Sequence, residues 1–196
     1  MAKNNRYGQA AILSENEALR IKNALSLPWQ RLFWDVARYT GERWGAITAL
    51  QVRDVYQDPK SRKPHELITY RAPTRKGNPD GSHQTRQVPV HPVLADILKA
   101  YEPPVDGWLF PSPYDASKHV SFFTAHRMLR VALDKTGLKK KGISTHSTRR
   151  TFITNLHRKG IDIATLQQIT GHRDFKALAR YIEADPERIK AAIAIL

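Results

Sequence analysis

The chain has 196 residues, with 32 Lys and Arg against 18 Asp and Glu, a formal charge of +14 and a pI near 10.2. At 41% hydrophobic residues it is too apolar for a disordered basic tail. No apolar run approaches the ~18 residues of a spanning helix, and the N-terminus lacks the apolar segment of a secretion signal. The absence of cysteine excludes a disulfide framework, a thiolate nucleophile and every thiolate metal site. At about 150 residues per domain the expectation is one domain.

Ser14-Glu15-Asn16-Glu17 has the spacing of a capping box and predicts a helix to about Leu25, with Ala18, Leu19, Ile21 and Leu25 on or near one face. Pro28 suits the first turn of a second helix, in which Leu32, Phe33, Val36, Ala37 and Tyr39 mark the buried side. Gly41 stops or bends it, and a short helix covers Trp44 to Leu50. The period then changes. Gln51–Gln57, Glu66–Arg71 and Gln84–Val90 alternate as strands do, and predict one small three-stranded antiparallel sheet with a turn-rich hairpin tip over Pro73–Ser82. Helix returns over Pro92–Tyr101, followed by a Pro/Gly-rich loop through Pro113 that belongs within one domain. Ser121–Thr136 is a further helix, Gly137–Gly142 a loop, and Ser144 or Thr145 caps a helix running to about Lys159. Asp162 caps the next, with Ile163, Leu166 and Ile169 inward and Gly171 just past its end. Asp174 caps a helix to about Glu183, and Asp185-Pro186 opens a last one with the apolar stripe Ile189, Ala192, Ile193 and Leu196. The expected class is α+β, mainly α-helical.

Residues 121–180 hold thirteen Lys and Arg against three acids, Asp134, Asp162 and Asp174, which is most of the chain's excess charge. Such a field attracts phosphates and releases counterions on binding, independently of base sequence. Nucleic acid is therefore the first partner to consider, with a merely solvated basic face as the plainer reading. No basic helix carries the strong aromatic face that a membrane surface would want.

Three segments carry candidate chemistry: Thr40-Gly41-Glu42-Arg43, Thr145-His146-Ser147-Thr148-Arg149-Arg150-Thr151-Phe152, and Gly171-His172 with Arg180-Tyr181 further on. His146 and Arg149, three apart on a helix, project from one face, near orphan backbone N–H groups that favour an anion. Together these segments resemble the catalytic boxes of the tyrosine recombinase (phage integrase) family, over roughly residues 12–185. Gly41-Glu42-Arg43 resembles the G-x-R box, His146-Ser147-Thr148-Arg149 the H-x-x-R box, Gly171-His172 the G-H box, and Arg180-Tyr181 the end of the nucleophile box. The family's hairpin lysine precedes a strand like Arg86-Gln87-Val88-Pro89-Val90, which matches Lys76 here, with Arg75 and Arg86 as neighbouring rivals. No single box is specific; their shared order is.

The resemblance implies a catalytic domain of the DNA breaking-rejoining type over residues 12–196, residues 1–11 being an extension. It implies that Tyr181 attacks a DNA phosphodiester and forms a 3′-phosphotyrosyl link. A phenol with a pKa near 10 is only about 0.1% ionised at neutral pH, so it needs help. Arg43 and Arg149 would hold the non-bridging oxygens with forks that match phosphate. His146 would accept or position the tyrosine proton, His172 would donate to the phosphate, and Lys76 would protonate the leaving 5′-oxygen. No cofactor, metal or ATP is called for. His146, His157 and His172 include no ligand pair one helical turn apart. A prokaryotic, cytoplasmic, nucleoid-associated enzyme is expected, assembling as a homotetramer on two DNA sites through the C-terminal helix, which could equally pack on its own domain. The alternatives are a non-catalytic DNA-binding module and a type IB topoisomerase. The candidates also have plainer readings: Arg43 as an ordinary helix-end arginine, His146 as a capped, satisfied histidine, His172 as a helix-end partner, Lys76 as a solvated hairpin residue and Tyr181 as core; Trp44 and Phe152 are read simply as core.

Two departures stand out. The family's acid three residues after the first arginine is replaced by Ala46, while Glu42 precedes Arg43. Either Glu42 takes the acid's place or Arg43 is held less rigidly. The family's N-terminal clamp domain is also missing from this sequence, so either an excised or a solitary catalytic domain is expected, with weak, salt-sensitive DNA binding.

Overall fold

A computed structural model describes residues 9–75, 84–172, 174–179, 181, 190, 193 and 194. The chain divides into two compact units, residues 1–152 and 153–196.

In the first unit, helix α1 (Glu15–Ala24) opens on both halves of the capping box, Glu17 N–H donating to Ser14 Oγ at 3.2 Å and Ser14 N–H to Glu17 Oε2 at 3.0 Å. Ala18, Ile21 and Leu25 are buried, whereas Leu19 is 54% exposed. At about 100° per residue Leu19 turns off the face that Ala18 and Ile21 share, which corrects its place in the expected stripe. Helix α2 (Pro28–Thr40) buries Leu32, Phe33, Val36 and Ala37 as expected, and α3 (Trp44–Thr48) follows the Gly41 turn. The core centres on edge-to-face aromatic contacts, Phe33 with Trp44 at 5.0 Å and Phe33 with Phe110 at 5.2 Å. Phe110 arrives from the Pro/Gly-rich loop, which is tied in where Leu109 N–H donates to the Leu50 carbonyl at 2.9 Å.

The expected three-stranded sheet is two two-stranded ones. Strand β1 (Tyr56–Asp58) pairs with β2 (Lys63–Pro64), and β3 (Leu67–Tyr70) pairs antiparallel with β4 (Arg86–Pro89), Tyr70 opposite Arg86. The start of the predicted first strand is a 3₁₀ turn, Val52–Asp54. Asp54 explains it: one carboxylate oxygen accepts the Gln51 N–H at 3.1 Å and the other receives Arg71 Nε at 2.7 Å. A side chain that takes a backbone donor in this way competes with strand pairing. The α+β, mainly helical class stands.

Helix α4 (Pro92–Ala100) packs on α2, and α5 (Phe122–Lys135) packs on α1 and α3. Helix α6 (His146–Arg158) begins in the first unit, where Arg150 Nη1 donates to the Ala10 carbonyl at 2.6 Å and Leu13 N–H to Thr151 Oγ1 at 2.8 Å.

The second unit continues α6 and adds α7 (Ile163–Thr170) and α8 (Phe175–Ala179). Asp162 caps α7 by accepting the Thr165 N–H at 2.9 Å, and Gly171 ends it in the left-handed region at φ 65°. Leu166 is buried as expected, but Ile163 is 39% exposed, so the inward face of α7 begins a turn later than the sequence indicated. The expected final helix lies outside the described residues except at 190, 193 and 194. Among the described residues no helix is long and apolar enough to cross a membrane.

Candidate active site

Gly41 ends α2 at φ 60°, a conformation that favours glycine, and a Cβ there would lie 2.4 Å from the Phe152 ring. Its carbonyl accepts from Arg149 Nη1 at 2.8 Å. The turn that presents Arg43 as the residue before α3 therefore also seats Arg149, 1% exposed on the first turns of α6. Trp44 is core, as expected, and its Nε1 donates to Thr148 Oγ1 at 3.0 Å, fastening α3 to α6. His146 is the first residue of α6 and is exposed; its backbone N–H donates to Ser144 Oγ at 3.3 Å. Arg43, His146 and Arg149 line one cavity of about 390 Å³, with Arg75, Thr74 and Thr145. Three candidates drawn from two distant segments thus share one wall.

Glu42 lies behind that wall, 1% exposed. Its Oε1 accepts the Arg43 backbone N–H at 2.8 Å and lies 3.7 Å from Arg149 Nη1, while its Oε2 accepts from Arg86 Nη1 at 2.5 Å and lies 3.6 Å from Arg75 Nε. Burial pushes the Glu42 carboxyl up, but Arg86, Arg149, the Arg43 N–H and Arg75 together outweigh it and hold it below the usual carboxylate range. Tyr70 OH donates to Thr40 Oγ1 at 3.0 Å, which pins β3 to the same turn.

Glu42→Gln leaves buried guanidiniums without their counter-charge and is expected to cost about 3–5 kcal/mol of unfolding free energy in urea titration. The pH dependence has a definite sign. The folded carboxyl binds its proton less tightly than its ordinary value of 4.5. Its stabilisation is therefore complete above that pH and is lost as pH falls through the lowered folded value. The stability gap between parent and variant should narrow on acidification below about pH 4.5; a gap constant down to acid unfolding would contradict it.

In the second unit, His172 is 8% exposed and follows the left-handed Gly171. Its Nδ1 lies 2.6 Å from Thr170 Oγ1, which itself donates to the Leu166 carbonyl at 2.6 Å. A hydroxyl has one proton; with that proton on Leu166, Nδ1–H is the donor to Thr170. The His172 and Tyr181 rings meet with centroids 5.4 Å apart. Tyr181 is half-buried and stands in a turn just after α8, not two turns into a helix as the sequence suggested. Its N–H donates to the Leu178 carbonyl at 2.9 Å and its carbonyl accepts from Thr154 Oγ1 at 2.9 Å, so the main chain at this residue is held on both sides.

Lys76 and Arg180 lie outside the described residues. Arg86, a rival to Lys76 in the sequence, is 7% exposed and committed to Glu42. Arg75, the other rival, lines the cavity. Nothing in the local sequence signals the Gly41–Arg149 or Trp44–Thr148 bonds, which join residues more than a hundred positions apart.

A tyrosine recombinase of Thermosipho africanus is 29% identical over 182 residues, covering 92% of this chain and 56% of that protein. The tyrosine recombinase XerD of Brucella suis is 27% identical over 157 residues, covering 75% of this chain and 48% of that one. The chain thus spans about half the length of these relatives. Among solved structures, XerA recombinase superposes with a TM-score of 0.71 at 25% identity, over 95% of this chain and 65% of that one. The catalytic domain of bacteriophage HP1 integrase shares the fold at a TM-score of 0.64 and 22% identity, over 95% of both chains. The profile of the phage integrase family matches residues 11–188, which contain all the boxes above in order, and the chain belongs to that family.

Proposed function

We propose that residues 12–196 are the catalytic domain of a site-specific DNA recombinase or integrase, residues 1–11 an extension, and that it cleaves and rejoins double-stranded DNA through a 3′-phosphotyrosyl intermediate at Tyr181. The observation that carries the reading is the convergence of Arg43, His146 and Arg149 on one cavity. Two guanidiniums and an imidazole beside the first turn of α6 make a site for an oxyanion. The excess basic charge of residues 121–180 supplies the field that a DNA backbone answers.

In the proposed reaction the Tyr181 oxygen attacks phosphorus, the bond to the 5′-oxygen breaks, and the phosphate, still bonded to the 3′-oxygen of its deoxyribose, is left esterified to the tyrosine. His146 takes the phenolic proton. Arg43 and Arg149 stabilise the charge that grows on the non-bridging oxygens. Lys76 gives a proton to the departing 5′-oxygen as general acid. His172, with Nδ1 committed to Thr170, offers Nε2 to the phosphate, and can donate there only when the ring carries both protons. Glu42, set among the guanidiniums, orients them. Reversal by a 5′-hydroxyl rejoins DNA, and the phosphotyrosine conserves the bond energy, so no ATP is consumed. Assembly as a tetramer on two DNA duplexes, in the cytoplasm of a prokaryotic cell, completes the reading.

The test is a covalent trap. The protein is mixed with nicked duplexes tiled across the DNA flanking its coding region, then denatured in SDS. An adduct that survives denaturation supports the reading; DNA binding in low salt without an adduct favours a binding module. Recombination between two duplexes, as against relaxation of any supercoiled plasmid, separates strand exchange from topoisomerase action. Excess EDTA is expected to leave the cleavage rate unchanged within about twofold, since every group in the scheme is a side chain; a tenfold loss reversed by a divalent cation would replace this mechanism with a metal-dependent one.

A further inference from the structure

Arg75 follows the 3₁₀ turn Ala72–Thr74 in extended backbone, φ −97° and ψ 151°. Its guanidinium is held in place: Nη1 donates to the Gln84 carbonyl at 2.9 Å, and Nε lies 3.6 Å from Glu42 Oε2. The side chain is 11% exposed, and the group lines the same cavity as Arg43, His146 and Arg149. Glu42 faces three guanidiniums, those of Arg75, Arg86 and Arg149. Arg86 is buried against the carboxylate, whereas Arg75 and Arg149 reach the cavity wall.

We propose that Arg75 is a further catalytic residue, a third guanidinium that contacts the phosphate undergoing cleavage, held on the cavity wall by Glu42 and the Gln84 carbonyl. This rests on the cleavage reading above and adds to it. A phosphodiester carries one negative charge and its five-coordinate transition state about two, so a cation fixed on the cavity wall favours the latter. Burial pulls the Arg75 pKa down, yet a guanidinium stays charged at neutral pH. Arg75 therefore acts by charge and hydrogen bonding and does not serve as the general acid.

The experiment compares parent, Arg75→Gln and Arg75→Lys in single-turnover cleavage of the nicked duplexes, alongside DNA affinity in low salt and thermal melting. Arg75→Gln is expected to cleave on the order of 30- to 1000-fold more slowly, the range for removing one transition-state donor, while its DNA affinity falls by less than about threefold. Arg75→Lys keeps the charge without the fork and should fall roughly tenfold; it carries the test if the Gln variant does not melt cooperatively. A duplex with sulfur in place of the scissile 5′-bridging oxygen supplies the second readout. A thiolate leaves without being protonated, so that substrate rescues the loss of a general acid but not the loss of a phosphate-holding cation. The Arg75→Gln defect should persist on it. Cleavage within about threefold of the parent, an equal loss of affinity and rate, or rescue by sulfur overturns the assignment. A parent chain that forms no adduct overturns the cleavage reading and this inference together; a parent adduct with an unimpaired Arg75→Gln overturns the inference alone.

Discussion

Tyr181→Phe is expected to bind DNA as the parent does and to form no SDS-resistant adduct. The substitution removes only the phenolic oxygen. The ring stays against His172, whose centroid lies 5.4 Å away, and the anchoring bonds at residue 181 are made by its backbone N–H and carbonyl, so neither is touched. Phenylalanine offers no lone pair to attack phosphorus, and the effect should be total in place of a graded one. DNA affinity should change little, because one neutral hydroxyl contributes little beside the backbone charge field. The check is gel retardation beside the covalent trap. An adduct that persists in Tyr181→Phe would assign the nucleophile to another residue, and loss of binding together with the adduct would make Tyr181 structural.

The second large effect is at Arg149. Removing a charge-assisted phosphate contact worth ~2–4 kcal/mol in the transition state slows cleavage roughly 30- to 1000-fold. Arg149→Ala would also strand the Gly41 carbonyl and expose Glu42 to a changed charge balance, since Arg149 Nη1 lies 2.8 Å from the one and 3.7 Å from the other. A melting curve must therefore accompany the rate. Arg149→Lys separates the two effects: it retains a positive charge in the buried cluster but cannot bridge the Gly41 carbonyl and a phosphate with one planar fork. Both variants should lose cleavage by more than they lose affinity, read as single-turnover rate against low-salt binding. A rate within about threefold of the parent, under 1 kcal/mol on the same scale, would remove Arg149 from the chemistry.

Helix ends were the most legible feature of the chain. Ser14 with Glu17, Asp162 and Gly171 act within three or four residues of themselves, and each does in the structure what its spacing announced. Strand pairing was less legible, because a strand needs a partner and its alternation does not name one. Gln51–Gln57 alternates correctly, yet Asp54 takes the Gln51 N–H and an arginine seventeen residues away, a 3₁₀ turn stands where the strand was expected to begin, and the strand that follows pairs with Lys63–Pro64. Leu19 and Ile163 are apolar without being inside, since periodicity marks a face and the neighbouring elements decide its width.

For the site, the sequence by itself determined which residue types are available and in what order: an arginine after a glycine turn, a histidine and arginine one helical turn apart, a histidine after a helix-ending glycine, and a tyrosine beyond it. These follow from local stereochemistry, which short spacings encode. Only the tertiary structure decided that the Gly41 carbonyl seats Arg149, that Glu42 lies buried among guanidiniums, and that, of the two arginines that rivalled Lys76, Arg86 is committed to that carboxylate while Arg75 reaches the cavity. Those contacts join segments tens to more than a hundred residues apart. Their distances are set by how the helices pack around the aromatic core, and no local spacing in the chain records them.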